Sequence, residues 1–195
     1  ARHPDRYQAT VLAANRSVDD MEILCRQHMP PYAIMGQPDA AEALRERLSD
    51  NARITVLSGS EPLDDLVADP AIHSVVAGIV GLAGLRSALS AARAGKHILL
   101  ANKEALVSAG NLFMETVRSG GATLLPVDSE HNAMHQCLPI LSDGRPDMTH
   151  VEKIVLTASG GPFRGRSREV LDDVTPAEAC AHPNWSMGQK ISVDS

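Results

Sequence analysis

The feature that most restricts this chain is a repeated alternation between short apolar runs and segments of helical period. Ala9–Ala14, Tyr32–Met35, Ile54–Leu57, Ser74–Val80, His97–Ala101 and Ala122–Leu125 read as strands. Between them, Val18, Met21, Leu24 and Cys25 recur at helical steps, as do Ala41, Leu44 and Leu48, then Leu85, Leu89 and Ala92. Shorter helices are expected at Pro62–Ala68 and Asn111–Arg118, and Ser17 is placed to cap the first helix. A strand with one wet face alternates polar and apolar residues, and these do not. They are therefore expected to be buried on both faces, in a doubly wound parallel sheet of the α/β class.

From Val127 the texture changes to more Pro, Gly, Ser and His, with one further expected strand at Lys153–Thr157 and a helical turn near Glu169–Leu171. A domain boundary is expected there, with 1–127 as one domain and 128–195 as the start of another. The chain begins with Ala1 and stops inside the strand-like run Lys190–Ser195. It reads as an interior stretch of a longer protein. A net charge of −6 with scattered Lys and Arg excludes a nucleic-acid footprint. The longest uncharged apolar run, Ser74–Leu85, is too short and glycine-rich to span a bilayer. No signal peptide is recognised, and Cys25, Cys137 and Cys180 lack any CxxC spacing. Free thiols and a cytoplasmic location are the expectation.

In a doubly wound sheet, ligands bind at the carboxyl ends of the strands, and the polar clusters of this chain fall there. After the last strand, Asp128 and Glu130 stand two residues apart, so in an extended segment both would face one side. Hard cations such as Mg²⁺ or Mn²⁺ take oxygen ligands, often one or two carboxylates plus water and substrate. The plainer reading makes Asp128 or Ser129 a helix cap. Asn15, Arg16 and Ser17 follow the first strand, where an arginine suits the 2′-phosphate of NADP. The glycine-rich phosphate loop that belongs one strand earlier is absent from the sequence. Asn102, Lys103 and Glu104 follow the fifth strand, where a lysine could hold an anionic or carbonyl substrate, or simply decorate a loop. Gly78, Gly81 and Gly84 allow close backbone approach. Ala158–Phe163 could form an anion nest. The stretch 164–181 reads as a polar loop of lid length. His131 and His135 have i,i+4 spacing but no HExxH motif.

Taken together, AGIVGLAGL (77–85), GKHILLANKEALV (95–107), LLPVDSEHNA (124–133), TASGGPFR (157–164) and HPNWSMGQKISVDS (182–195) resemble the 1-deoxy-D-xylulose 5-phosphate reductoisomerase family, in its order and spacing. The likeness spans essentially the whole chain. It implies a Rossmann-like NADPH domain followed by part of an α+β catalytic domain, with isomerisation of a ketose phosphate and then hydride reduction. Asn15, Arg16, Ser17, Asn102, Glu104 and Gly188 correspond to NADPH contacts, and Asp128 and Glu130 to ligands of Mg²⁺ or Mn²⁺. Lys103, Ser129, Glu130, Ser159, His182 and Ser195 correspond to substrate contacts, the last two and Ser159 toward the phosphate. Lys103, Asp128, Glu130 and His182 are the catalytic set, and Trp185 and Met187 fall on a closing loop. The resemblance also implies a homodimer. A third carboxylate ligand and an Asn-Lys phosphate pair, which the family carries beyond Ser195, are missing, so this stretch alone is expected not to turn over. Two competing readings are a metal-free NAD(P)-dependent sugar or amino-acid dehydrogenase, suggested by Gly95-Lys-His97 and Asn102-Lys-Glu104, and a non-catalytic nucleotide-binding domain.

Overall fold

The computed structural model describes residues 3–141, 146–157, 160–184, 186 and 192–193. Six short strands alternate with helices: β1 (Val11–Ala14), α1 (Val18–His28), β2 (Tyr32–Met35), α2 (Pro38–Arg47), β3 (Thr55–Ser58), α3 (Glu61–Leu66), β4 (Ser74–Ala77), α4 (Leu85–Arg93), β5 (His97–Leu100), α5 (Lys103–Gly120) and β6 (Thr123–Pro126). All four strand pairings are parallel, as runs without polar alternation require. The α/β class is therefore as expected, but burial on both strand faces is not: β4 alternates exposed and half-buried residues, because nothing among the described residues covers the Val76 side of the strand. The strands do not make one continuous sheet, however. They form two three-stranded ladders, β1-β2-β3 and β4-β5-β6. Among the described residues no strand pairs with both β1 and β4, so each keeps one open edge.

Each ladder has its own core. Met21 and Cys25 of α1 and Ala41 and Leu44 of α2 pack with Ala33 and Met35 of β2. Burial raises the pKa of the Cys25 thiol, as expected of a structural cysteine. In the second core, Ala88, Ala91 and Ala92 of α4 meet Phe113 and Val117 of α5 above Ile98 and Leu100 of β5. Phe113 is fully buried, and burying a side chain of this size stabilises a fold by about 1.5–3 kcal/mol. The small face of α4 admits α5 very closely. A Cβ on Gly120 would stand 2.1 Å from the Ala92 carbonyl oxygen, so backbone meets backbone there.

Helix α5 begins earlier than the sequence implied. Lys103 is its first residue, and Asn102 caps it by accepting the Ala105 N–H at 3.3 Å. The helix breaks its dihedrals at Ala109 (φ −141°, ψ 30°), which separates a Lys103-bearing first part from the Phe113-bearing remainder. Ser17 stands at the N-cap of α1 but makes no side-chain cap bond, contrary to expectation.

The chain divides into two compact units, Ala1–Pro146 and Asp147–Ser195. The first closes with α6 (Ser129–Cys137), which lies against β6. The second holds α7 (Arg168–Leu171), near the turn expected at Glu169–Leu171, and α8 (Pro176–Ala179). A capping box starts α8: Thr175 accepts the Glu178 N–H, and Glu178 accepts the Thr175 N–H at 2.9 Å. The strand expected at Lys153–Thr157 does not form. No described segment pairs with it, and Ile154, Val155 and Leu156 are exposed. Strand propensity alone leaves backbone groups without partners, and a strand requires a neighbour.

Candidate active site

The chain leaves β6 and enters α6 within two residues, Val127 and Asp128. Asn132 secures this turn by donating from Nδ2 to the Pro126 carbonyl oxygen at 2.7 Å. Asp128 is the N-cap and Ser129 and Glu130 open the helix, so the extended geometry expected for 128–130 is overturned. Proximity of the carboxylates survives for another reason: an N-cap and the second helical residue share one turn.

An aspartate at an N-cap ordinarily accepts a backbone N–H from the first turn. Asp128 makes no such bond. Its carboxylate, only 14% exposed, instead has Oδ2 3.6 Å from Lys103 Nζ and Oδ1 3.9 Å from His131 Nδ1. Lys103 reaches it from the carboxyl end of β5, the strand beside β6. Glu130 accepts the Ser129 hydroxyl at 2.9 Å. Its carboxyl is held below its ordinary pKa, first by its own backbone N–H, then by Ser129, with Lys103 adding attraction. It is therefore ionised at neutral pH.

Lys103, Asp128, Ser129 and Glu130 thus form one cluster at adjacent strand ends. Its donors are oxygens, with one carboxylate not committed to its helix. Among the described residues no three His, Cys, Asp or Glu side chains gather as ligands. Two carboxylates fit the habits of Mg²⁺, which binds through one or two carboxylates and keeps much of its hydration. His131 was passed over as a partner of Asp128. The signal was its place three residues after the N-cap, on the same face of α6.

The other expected residues lie elsewhere. Asn15, Arg16 and Ser17 are exposed at the carboxyl end of β1, in the other ladder. The Arg16 guanidinium has no partner among the described residues. Glu104 lies in the first turn of α5. Asn102 is 3% exposed, with its amide donating to the Ile79 and Gly81 carbonyl oxygens at 2.7 and 2.8 Å. In the second unit, the Asn184 N–H donates to Nδ1 of His182 at 3.0 Å. Nδ1 is then the acceptor, and the neutral ring carries its proton on Nε2. Ser159, Trp185, Met187, Gly188 and Ser195 lie outside the described residues.

Residues 1–110 match the sequence profile of 1-deoxy-D-xylulose 5-phosphate reductoisomerase, and residues 124–195 match that of its C-terminal domain. The chain belongs to this family. Reductoisomerases of this name from Ralstonia nicotianae and Nitrosococcus oceani are each 57% identical to it across its whole length. The chain spans about half the length of the curated relatives it matches, 49% and 50% for these two. Among solved structures, a DOX-P reductoisomerase in complex with NADPH, fosmidomycin and magnesium superposes with a TM-score of 0.88. It shares 44% identity, over 99% of this chain and 48% of that one. The Zymomonas mobilis family member in complex with NADPH has a TM-score of 0.84 at 40% identity, over 91% of this chain and 45% of that one. No helix among the described residues is long and apolar enough to cross a membrane.

Proposed function

We propose that this chain carries the cofactor platform and part of the catalytic centre of an NADPH- and divalent-metal-dependent enzyme. That enzyme would convert 1-deoxy-D-xylulose 5-phosphate to 2-C-methyl-D-erythritol 4-phosphate in the non-mevalonate route to isoprenoids. The observation that carries this reading is the Asp128 carboxylate, which makes no cap bond to its own helix and faces Lys103 at 3.6 Å, with Glu130 two residues on. The bound NADPH and magnesium of the similar solved structure support the same pair of cofactors here.

Asp128 and Glu130 hold Mg²⁺ or Mn²⁺ in this reading. The metal, when bound, supplies Lewis acidity where negative charge develops on a substrate oxygen. Lys103 brings a cation to the same point and is placed to hold or pass a proton there. Ser129 keeps the Glu130 carboxylate oriented and can donate to a substrate oxygen. His182, Ser159 and Ser195 bind the phosphate oxygens in this reading. Phosphate binding far from the bonds that change can hold the substrate and drive closure of the loop carrying Trp185 and Met187. Asn15, Arg16 and Ser17 receive the adenosine ribose and 2′-phosphate, and Glu104 and Gly188 complete the cofactor contacts. Residues 1–127 serve NADPH and 128–195 serve metal and substrate, in a homodimeric cytoplasmic enzyme.

The test uses the full-length parent protein with NADPH and 1-deoxy-D-xylulose 5-phosphate. Oxidation of NADPH that requires both the sugar phosphate and Mn²⁺, and that a chelator stops, is the expected result. A folded, NADPH-binding protein that oxidises nothing in this assay would overturn it. Oxidation insensitive to chelator would favour a metal-free dehydrogenase instead.

A further inference from the structure

The loop between β4 and α4, residues 78–84, and the first turn of α5 leave neighbouring strands at their carboxyl ends. One side chain joins them. Asn102 is nearly inaccessible, and its amide makes three hydrogen bonds inside the protein. Both amide hydrogens go to the loop, on Ile79 O at 2.7 Å and Gly81 O at 2.8 Å. The amide oxygen goes to the helix, accepting from Ala105 N. The loop is shaped to receive it. Gly81 sits at φ +72°, a conformation that other residues rarely adopt. A Cβ on Gly84 would stand 2.5 Å from Ile79 O and 3.0 Å from Asn102 Nδ2.

The next residue after Asn102 is Lys103, whose ammonium faces Asp128 at 3.6 Å. Beyond the first turns of α5 the helix breaks at Ala109, so Lys103 is not anchored through an unbroken helix to the Phe113 core. The amide of Asn102 ties the front of the helix to the sheet side of the site.

We propose that Asn102 is a positioning residue: its side chain clamps the 78–84 loop to the first turn of α5 and so sets where Lys103 meets Asp128. The catalytic consequence rests on the reductoisomerase reading, whereas the clamp itself does not. The proposal also limits any side-chain contact between Asn102 and NADPH to the second lone pair of the amide oxygen, because both amide hydrogens are already donated inside the protein.

Two variants of the full-length protein test it. Asn102→Ser keeps a hydroxyl to cap Ala105 N but is too short to reach both carbonyls. Gly84→Ala leaves Asn102 intact and forces a methyl group into the same contact, which guards against a failure of the first variant to fold. In the cofactor-free proteins, hydrogen exchange of a peptide covering 78–84 and the acylation rate of Lys103 are followed by mass spectrometry. Both rates are expected to rise in both variants. With NADPH and substrate, kcat per NADPH-binding site is expected to fall about 10–100-fold, the scale of an ångström's misplacement. NADPH affinity is expected to change by less than about threefold, since all the side-chain bonds of Asn102 are internal.

Unchanged loop exchange with weakened NADPH binding would overturn the proposal and make Asn102 a direct cofactor contact. Faster loop exchange with unchanged Lys103 acylation and unchanged kcat would also overturn it, leaving a tether that positions nothing. An unsubstituted protein without turnover would instead sink the reductoisomerase reading. Loop exchange and lysine labelling would still decide whether the clamp exists.

Discussion

Replacing Asp128 by Asn in the full-length protein separates the metal assignment from the cofactor assignment. The substitution keeps the side-chain shape and removes one charge. At 3.6 Å the attraction between Lys103 and Asp128 is about 5 kcal/mol at an effective dielectric of 20. Lys103 is 37% exposed, and water and salt carry such pairs toward the 0–1 kcal/mol of surface ion pairs, so a net loss of about 1 kcal/mol is expected. In a protein of this size or larger that is a fall in Tm of roughly 2–4 °C. The effect on the metal is larger, because one of two carboxylates is lost. Removing a residue that merely orients a metal ligand weakens binding about 10–100-fold, and loss of a ligand should exceed that. NADPH affinity should stay within about twofold, since Arg16 lies in the other ladder and the variant leaves its surroundings unchanged. Mn²⁺ binding by electron paramagnetic resonance, NADPH binding by fluorescence and kcat with excess Mn²⁺ would be measured on one preparation. Mn²⁺ affinity equal to that of the unsubstituted protein, or NADPH affinity falling in step with it, would refute the assignment.

Three further outcomes follow from single contacts. Arg16→Ala should weaken NADPH binding several-fold while leaving NADH binding nearly unchanged, because a guanidinium recognises the 2′-phosphate that only NADPH carries; an equal loss for both nucleotides would count against that role. Phe113→Ala should cost about 3–5 kcal/mol, seen as a lower midpoint in a urea titration with an unchanged slope, since the residue is fully buried between α4, α5 and β5. The Glu178 carboxyl is held below its ordinary pKa by the Thr175 N–H and hydroxyl. Its contribution to α8 is therefore complete above the ordinary carboxylate range and disappears as pH falls through the lowered value. Backbone chemical shifts of residues 176–179 followed from pH 7 downward should show that loss, and Thr175→Ala should show it already at pH 7.

Periodicity along the chain placed the six strands of the first unit within a few residues, because each strand is a short apolar run bounded by polar or helical segments, although β4 leaves Val76 71% exposed. It was blind to pairing. Lys153–Thr157 has the composition of a strand and no described partner, and the continuous sheet resolved into two ladders. The start of α5 was missed because Asn102-Lys-Glu104 looks like any polar strand-end loop until Ala105 N finds the Asn102 side chain.

The sequence by itself determined the α/β class, the family motifs and the residue types that could hold a cation, a phosphate or a cofactor. Those properties depend on local order and on the chemistry of single side chains. Only the tertiary structure decided which partners the polar groups meet. Asp128 stands at an N-cap yet faces Lys103 from the neighbouring strand end, while Asn102, read as a cofactor contact, is enclosed by carbonyls from the loop after β4. The direction of a side chain and the partner that satisfies it are set by segments remote in sequence, and packing in three dimensions is what brings them together.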